Sequence, residues 1–125
     1  MPKRPSIRVV RIYEIDPRGD LGHRVLVDRL WPRGISKVDA MWDEWCKDIA
    51  PTTELRRWYD HEGPRFEEFA GRYVAELRRP PASTAFAKLL ELARSEAITL
   101  LTATRDVDHS AAHVLGCQLI QAAVT

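Results

Sequence analysis

The sequence contains no run of about 18 apolar residues, the length that a helix needs to cross a membrane. Its first residues, Met-Pro-Lys-Arg-Pro-Ser, carry positive charges, but the apolar segment of a signal peptide does not follow them. These absences argue against an integral membrane protein and against secretion. We therefore expect a cytoplasmic protein that has no membrane partner.

Cysteine is scarce, and the two that occur do not form a motif. Cys46 and Cys117 lie 71 positions apart, without a Cys-x-x-Cys pair. In a reducing compartment such residues are most simply free thiols that pack as small hydrophobic side chains. A nucleophilic role is the less favoured alternative.

Several motifs that announce a cofactor are also missing. The chain has no Gly-x-x-x-x-Gly-Lys-Ser/Thr phosphate loop, no dinucleotide fingerprint and no Gly-x-Ser-x-Gly elbow. His109 and His113 have the i, i+4 spacing of metal ligands on one helix face, but no third ligand stands at a diagnostic offset. We expect neither a cofactor nor a metal.

Charge is unevenly distributed although the net charge is only +1. Residues 1–35 carry a net +4, whereas residues 36–69 carry a net −4. The basic first third suits an anionic partner. The acidic middle argues against a long nucleic-acid groove, which needs a continuous basic face.

The chain of 125 residues has the size of one domain, spanning 1–125. Hydrophobic patterning predicts strands at 6–13, 23–30 and 98–104, and helices at 55–59, from 64 to 79, from 83 or 84, and from 108 to about 123. This order predicts an α/β fold: a small three-layer domain with a mainly parallel sheet of three to four strands and helices on both faces.

Two local features refine this arrangement. Only about nine residues join the first two strands, which is short for a parallel crossover, so we expect the first strand to pair antiparallel or to lie at an edge. Asp108 precedes the last helix and is predicted to cap its N-terminus.

The strongest chemical signal is the segment Asp28-Arg29-Leu30-Trp31-Pro32-Arg33-Gly34, at the end of the second strand. Arg29 and Arg33 can bind a phosphate or carboxylate through two parallel hydrogen bonds, and Trp31 offers a flat surface for stacking. The structural alternative is that Asp28 pairs with an arginine to brace the loop while Trp31 fills the core. The sequence favours neither.

A second charged cluster, Arg105-Asp106-Val107-Asp108-His109, follows the third strand. If the strands at 23–30 and 98–104 are parallel, both clusters emerge at the carboxyl edge, where open α/β sheets bind ligands. We predict that Asp28, Asp106 and His109 perform acid–base or positioning work. Ligand-binding residues predicted here are Arg29, Trp31, Arg33 and Arg105.

Four segments also resemble a known family. They are R-V-L-V-D-R-L-W-P-R-G (24–34), W-C-K-D-I-A-P-T-T-E-L-R-R-W-Y (45–59), F-x-x-R-Y-x-x-E-L (69–77) and T-L-L-T-A-T-R-D-x-x-H (99–109). In order and content they resemble the short, YeaO-like branch of the domain-of-unknown-function 488 (DUF488) family. The resemblance implies a small bacterial α/β domain and does not by itself assign a reaction.

Carried over position by position, the family pattern adds to the residues already singled out. Trp58 and Tyr73 enter the predicted ligand-binding set in this way. The other marked positions are Pro32, Gly34, Lys47, Arg56 and Arg72. Longer members of the family tend to place a cysteine at the third strand, where this chain has Thr102-Ala103, and this departure weakens a cysteine-nucleophile mechanism.

Three functional hypotheses follow. The first is an anion-binding pocket for phosphate or carboxylate at the carboxyl edge of the sheet, in a small-molecule enzyme or a ligand binder. The second is a nucleic-acid-associated or regulatory protein that uses the basic first third. The third is a non-catalytic interaction module with an exposed apolar patch.

Overall fold

The computed structural model describes residues 6–15, 22–60 and 62–124. Its sheet contains β1 (Ile7–Arg11), β2 (His23–Leu26), β3 (Glu44–Trp45) and β4 (Ile98–Thr102) in the order β1-β4-β2-β3, with every pairing parallel. The helices are α1 (Thr53–Tyr59), α2 (Phe66–Glu76), α3 (Ala82–Ala93) and α4 (Ala111–Ala123). The α/β class and the parallel sheet are thus confirmed.

The central strand is β4, whose five residues are all buried. Both faces of this strand are covered, which explains why its sequence, Ile-Thr-Leu-Leu-Thr, is a nearly continuous apolar run instead of an alternating one. The first strand, β1, lies at an edge, as expected, but it runs parallel to β4. Because β4 separates β1 from β2, the short connection does not join neighbouring strands.

The layering differs from the predicted three layers. Buried residues of all four helices share one core cluster with Val25, Ile98 and Leu100 of the sheet. The opposite face, with Leu26 and Leu101, is covered in the described residues by loop side chains and the edge strand, not by an α-helix. Trp42 and Trp45, which lie between β2 and α1 along the chain, contribute to this cover.

Two helix starts show how local sequence sets the ends of the elements. The Thr52 hydroxyl accepts a hydrogen bond from the N–H of Leu55 (3.2 Å) and caps α1. Ser110 caps α4 in the same way, because its hydroxyl accepts from the N–H of His113 at 3.1 Å. Asp108 was expected in that position, but it lies one turn earlier in a short 3₁₀ turn, Val107–His109. The predicted cap was therefore wrong by two residues.

Within the described ranges, no helix combines the length and the apolar composition that a bilayer-spanning segment requires.

Candidate functional site

The carboxyl ends of β1, β4 and β2 open into a cavity of about 740 Å³. This is the edge at which open parallel sheets hold ligands, and the volume lies in the usual range for small-molecule sites. Seven of the nine predicted site residues line the cavity, namely Asp28, Arg29, Trp31, Arg33, Arg105, Asp106 and His109. The two charged clusters of the sequence therefore belong to one concave surface.

Asp28 links β2 to β4 across this edge. One carboxylate oxygen accepts a hydrogen bond from the Thr102 hydroxyl (2.7 Å), and the other accepts from the N–H of Ala103 (2.7 Å). Its carbonyl oxygen accepts from the indole N–H of Trp45 at 2.7 Å. Since both carboxylate oxygens already accept hydrogen bonds from the protein, Asp28 is placed as a brace between strands.

Arg29 and Trp31 also make internal contacts. The Arg29 guanidinium donates to the carbonyl oxygens of Pro51 (3.1 Å) and Ala50 (3.2 Å), so two of its five N–H groups tie the loop to the segment before α1. The Trp31 indole N–H donates to the Ile35 carbonyl at 2.5 Å. Its ring packs edge-to-face against the rings of Trp42 and Trp45, with centroids 4.8 and 5.3 Å away.

Three other arginines are exposed at the cavity: Arg33, Arg56 and Arg105. The backbone of Arg33 is held by the Tyr13 hydroxyl, which donates to its carbonyl oxygen at 2.8 Å. Arg33 is followed by Gly34, whose φ of +79° lies in the left-handed region that favours glycine. These constraints set the backbone from which the Arg33 guanidinium extends.

Arg11 is a cavity residue that the sequence analysis missed. It is the last residue of β1, its guanidinium carbon lies 4.8 Å from the centre of the Tyr13 ring, and its Nε is buried without a hydrogen-bond partner among the described residues. A buried donor without an acceptor is costly. Recognition of β1 as parallel would have brought Arg11 to the same edge.

Asp106 and His109 form a contact at the cavity wall. The Nδ1 of His109 lies 2.8 Å from a carboxylate oxygen of Asp106, and both side chains are at least half exposed. The Tyr59 hydroxyl donates to the His109 carbonyl at 2.7 Å, and the ring of Phe66 packs edge-to-face on the imidazole. Burial, and secondarily the negative charge of Asp106, raises the pKa of Tyr59.

Trp58 and Tyr73 are not at the cavity. Trp58 lies under two guanidinium groups, with the Arg72 carbon 4.4 Å and the Arg65 carbon 5.5 Å from its ring. Tyr73 is 1% exposed in the helical core, where its hydroxyl donates to the Ile49 carbonyl at 2.5 Å, and burial raises its pKa well above the ordinary value. Trp58 and Tyr73, which the family pattern marked, take part in packing in this structure.

The remaining candidates outside the cavity are thiols and imidazoles. Cys46 is half-buried, and burial raises the pKa of its thiol, which lowers its reactivity. Cys117 is exposed, with its sulfur 3.7 Å from Nε2 of His113. Across 6–15, 22–60 and 62–124, no three His, Cys, Asp or Glu residues are grouped so that they would hold a metal ion.

Comparison with known proteins agrees with the resemblance seen in the sequence. An uncharacterized protein of Mycobacterium tuberculosis, Rv3073c, is 51% identical over 116 residues, which cover 92% of this chain and 94% of that protein. YeaO of Escherichia coli K12 is 38% identical over 110 residues, which cover 88% of this chain and 93% of that protein. No solved structure matches the chain. Residues 6–125 match the family described as the inactive DUF488-N3 subclade, and the chain belongs to this subclade of the DUF488 family.

Proposed function

We propose that the protein binds a small molecule carrying a phosphate or carboxylate group in the cavity at the carboxyl edge of its sheet. The observation that carries this proposal is the charge of the lining, which includes five arginines and two aspartates. The arginines are Arg11, Arg29, Arg33, Arg56 and Arg105.

The two aspartates are too few to neutralise the positive charge of the five arginines. Asp28 is hydrogen-bonded to β4, and Asp106 pairs with His109. Among the described residues, the ion pair of Asp106 is with His109. Arginine stays charged at all physiological pH values and presents a fork of donors that matches carboxylate and phosphate oxygens.

Binding without catalysis fits the chemistry of the lining. Asp28, the more enclosed of the two carboxylates, accepts a hydrogen bond at each oxygen from the end of β4, which favours a role in holding β2 to β4. Thr102 and Ala103 occupy the strand end where a nucleophilic cysteine would be needed. The description of the subclade as inactive points in the same direction.

The test exploits two adjacent arginines of α1. Arg56 lines the cavity, whereas Arg57 is exposed on the same helix and does not line it. We expect Arg56→Gln to weaken the binding of inorganic phosphate, measured by calorimetry at constant ionic strength, while Arg57→Gln leaves it unchanged. Arg33→Ala should abolish binding with little change in melting temperature, because the Arg33 side chain is exposed.

Two results would overturn the proposal. In one, Arg56→Gln and Arg57→Gln weaken phosphate binding equally, which would indicate a nonspecific response to net charge. In the other, Arg33→Ala lowers the melting temperature strongly while phosphate binding persists, which would make the cluster structural.

A second candidate, acid–base catalysis, is favoured by one observation. A carboxylate oxygen of Asp106 lies 2.8 Å from Nδ1 of His109 and orients the imidazole ring. The other ring nitrogen, Nε2, would then exchange a proton with a bound molecule. If this candidate is correct, the protein consumes a substrate, and His109→Gln lowers the rate of that reaction at least about a hundredfold. Binding that is saturable and reversible, with no turnover in either protein, supports the binding function alone.

A further inference from the structure

We infer that the ligand of this cavity is an organic anion with an apolar body, oriented with the apolar part inward and the charged group toward the arginines. This inference rests on the proposed function, because it names the class of molecule that the same cavity would bind. It is carried by the distribution of burial among the lining residues.

The inner wall of the cavity, which we call the floor, is formed by the most buried of the lining residues, and these are apolar. Val27, Tyr59 and Phe69 line it and are 3%, 6% and 1% exposed, respectively. The polar groups nearest the floor are already satisfied: the Tyr59 hydroxyl donates to the His109 carbonyl, and Asp28 accepts from Thr102 and Ala103. A charged group placed against Val27 and Phe69 would lose its hydration without gaining a donor from these side chains, and the desolvation cost would oppose binding.

The charged part of the lining lies elsewhere. Arg33 and Arg105 are exposed at the mouth. Arg11 lies at the β1 side, with its side chain 23% exposed. Tyr13 connects Arg11 to Arg33, because its ring packs against the Arg11 guanidinium and its hydroxyl donates to the Arg33 carbonyl at 2.8 Å. The anionic group therefore has donors at the mouth and at the β1 corner.

Size supports the same conclusion. Inorganic phosphate or a similar ion would fill only a small part of a cavity of about 740 Å³. Cavities of this size generally hold molecules that bury an apolar body against apolar walls while a few polar groups fix their orientation. Burial of that body removes its own apolar surface from water, which adds affinity beyond that of the charge.

The experiment compares three phosphates on the unchanged protein by calorimetry at about pH 8, where phosphate monoesters carry close to two negative charges. The probes are inorganic phosphate, methyl phosphate and phenyl phosphate. We expect phenyl phosphate to bind roughly 10- to 100-fold more tightly than methyl phosphate, as burial of an aromatic ring implies. Methyl phosphate should differ little from inorganic phosphate.

Two variants locate the two parts of the ligand. Ala111 lines the cavity at the start of α4, and Ala111→Leu should reduce phenyl phosphate binding to the level of methyl phosphate by filling the floor. Arg33→Gln should weaken both esters by a similar factor. Ala87→Leu, on the exposed side of α3 and away from the cavity, is the matched control and should change neither affinity.

The outcomes distinguish failure of this inference, which concerns the apolar body of the ligand, from failure of the proposed anion site. Equal affinities for phenyl and methyl phosphate, both weakened by Arg33→Gln, would overturn the inference and leave the anion site in place. Absence of binding by all three probes would overturn both. A preference for phenyl phosphate that persists unchanged in folded Ala111→Leu would place the ring elsewhere and would also overturn the inference. The comparison of probes on the unchanged protein needs no variant to fold.

Discussion

Replacing Asp28 with alanine removes both hydrogen bonds that join the end of β2 to the end of β4. In the structure its two carboxylate oxygens accept from the Thr102 hydroxyl and the Ala103 N–H, each at 2.7 Å. A hydrogen bond to a charged acceptor contributes about 1.5–3 kcal/mol to the free energy of unfolding. Water from the adjoining cavity can replace part of this, so we expect a total loss of about 2–4 kcal/mol.

This loss is measurable by urea denaturation, and for a chain of this size it corresponds to a fall in melting temperature of roughly 8–15 °C. Asp106→Ala is the matched control at the same edge of the sheet. The Asp106 side chain is 67% exposed and contacts only His109 in the interactions described, so its removal should cost less than about 1 kcal/mol.

A double-mutant cycle tests whether the contact between Asp28 and Thr102 is responsible. Thr102→Val keeps the shape of the buried side chain and removes its hydroxyl, which also accepts from the N–H of Thr104. If Asp28 braces the strands, the double variant should be more stable than the sum of the single losses predicts, by about 1 kcal/mol or more. If Asp28→Ala lowers the free energy of unfolding by less than about 1 kcal/mol, as Asp106→Ala does, Asp28 does not brace the strands. A role in binding the ligand would then be the better explanation of Asp28.

Three other predictions follow from local geometry. Ser110→Ala should lower the free energy of unfolding by about 1 kcal/mol, because Ser110 caps α4, whereas Asp108→Ala should change it by less than half of that; equal effects would contradict the cap. Gly22→Ala should lower the melting temperature strongly, because a Cβ at Gly22 would lie 2.3 Å from the Ala97 carbonyl oxygen and because the φ of Gly22 is +62°. A melting temperature close to that of the unchanged protein would disprove the clash. Burial raises the pKa of Tyr73, so folding favours the neutral phenol. The stability that this adds is fully present below about pH 10 and decreases as the pH rises from there toward the higher pKa of the folded protein. In denaturation curves measured over a pH series, Tyr73→Phe should therefore lose less free energy of unfolding at alkaline pH than the unchanged protein does.

The elements of the fold were largely predictable because they depend on local patterning. The buried strand near Leu26 and the central strand 98–102 are continuous apolar runs, and α2 carries its buried residues, such as Phe69 and Tyr73, at a helical spacing. The two-residue strand β3 was not predicted. It is too short to show a period, and it forms because Cys46 donates its N–H to the Leu26 carbonyl at 2.8 Å.

The location of the candidate site was also visible in the sequence, since two charged clusters follow the two most apolar strands. What each charge does there was not visible. Asp28 was predicted to perform acid–base or positioning work, and the structure adds that its carboxylate accepts a hydrogen bond from the end of β4, 74 residues away along the chain. Trp58 was expected at the ligand, and it packs under arginines of its own helical layer.

Sequence patterning determines the strands, the helices and the concentration of arginine around residues 28–34, because these depend on neighbours within a few positions. The order of the strands depends on contacts between distant segments, and only the tertiary structure decided that β1 lies beside β4. That order brings Arg11 to the cavity. In the described residues, the face of the sheet that carries Leu26 and Leu101 is covered by side chains that include Trp42 and Trp45, and not by an α-helix. Whether an arginine binds its own chain, as Arg29 does, or stands exposed at the mouth, as Arg33 does, is likewise a consequence of packing.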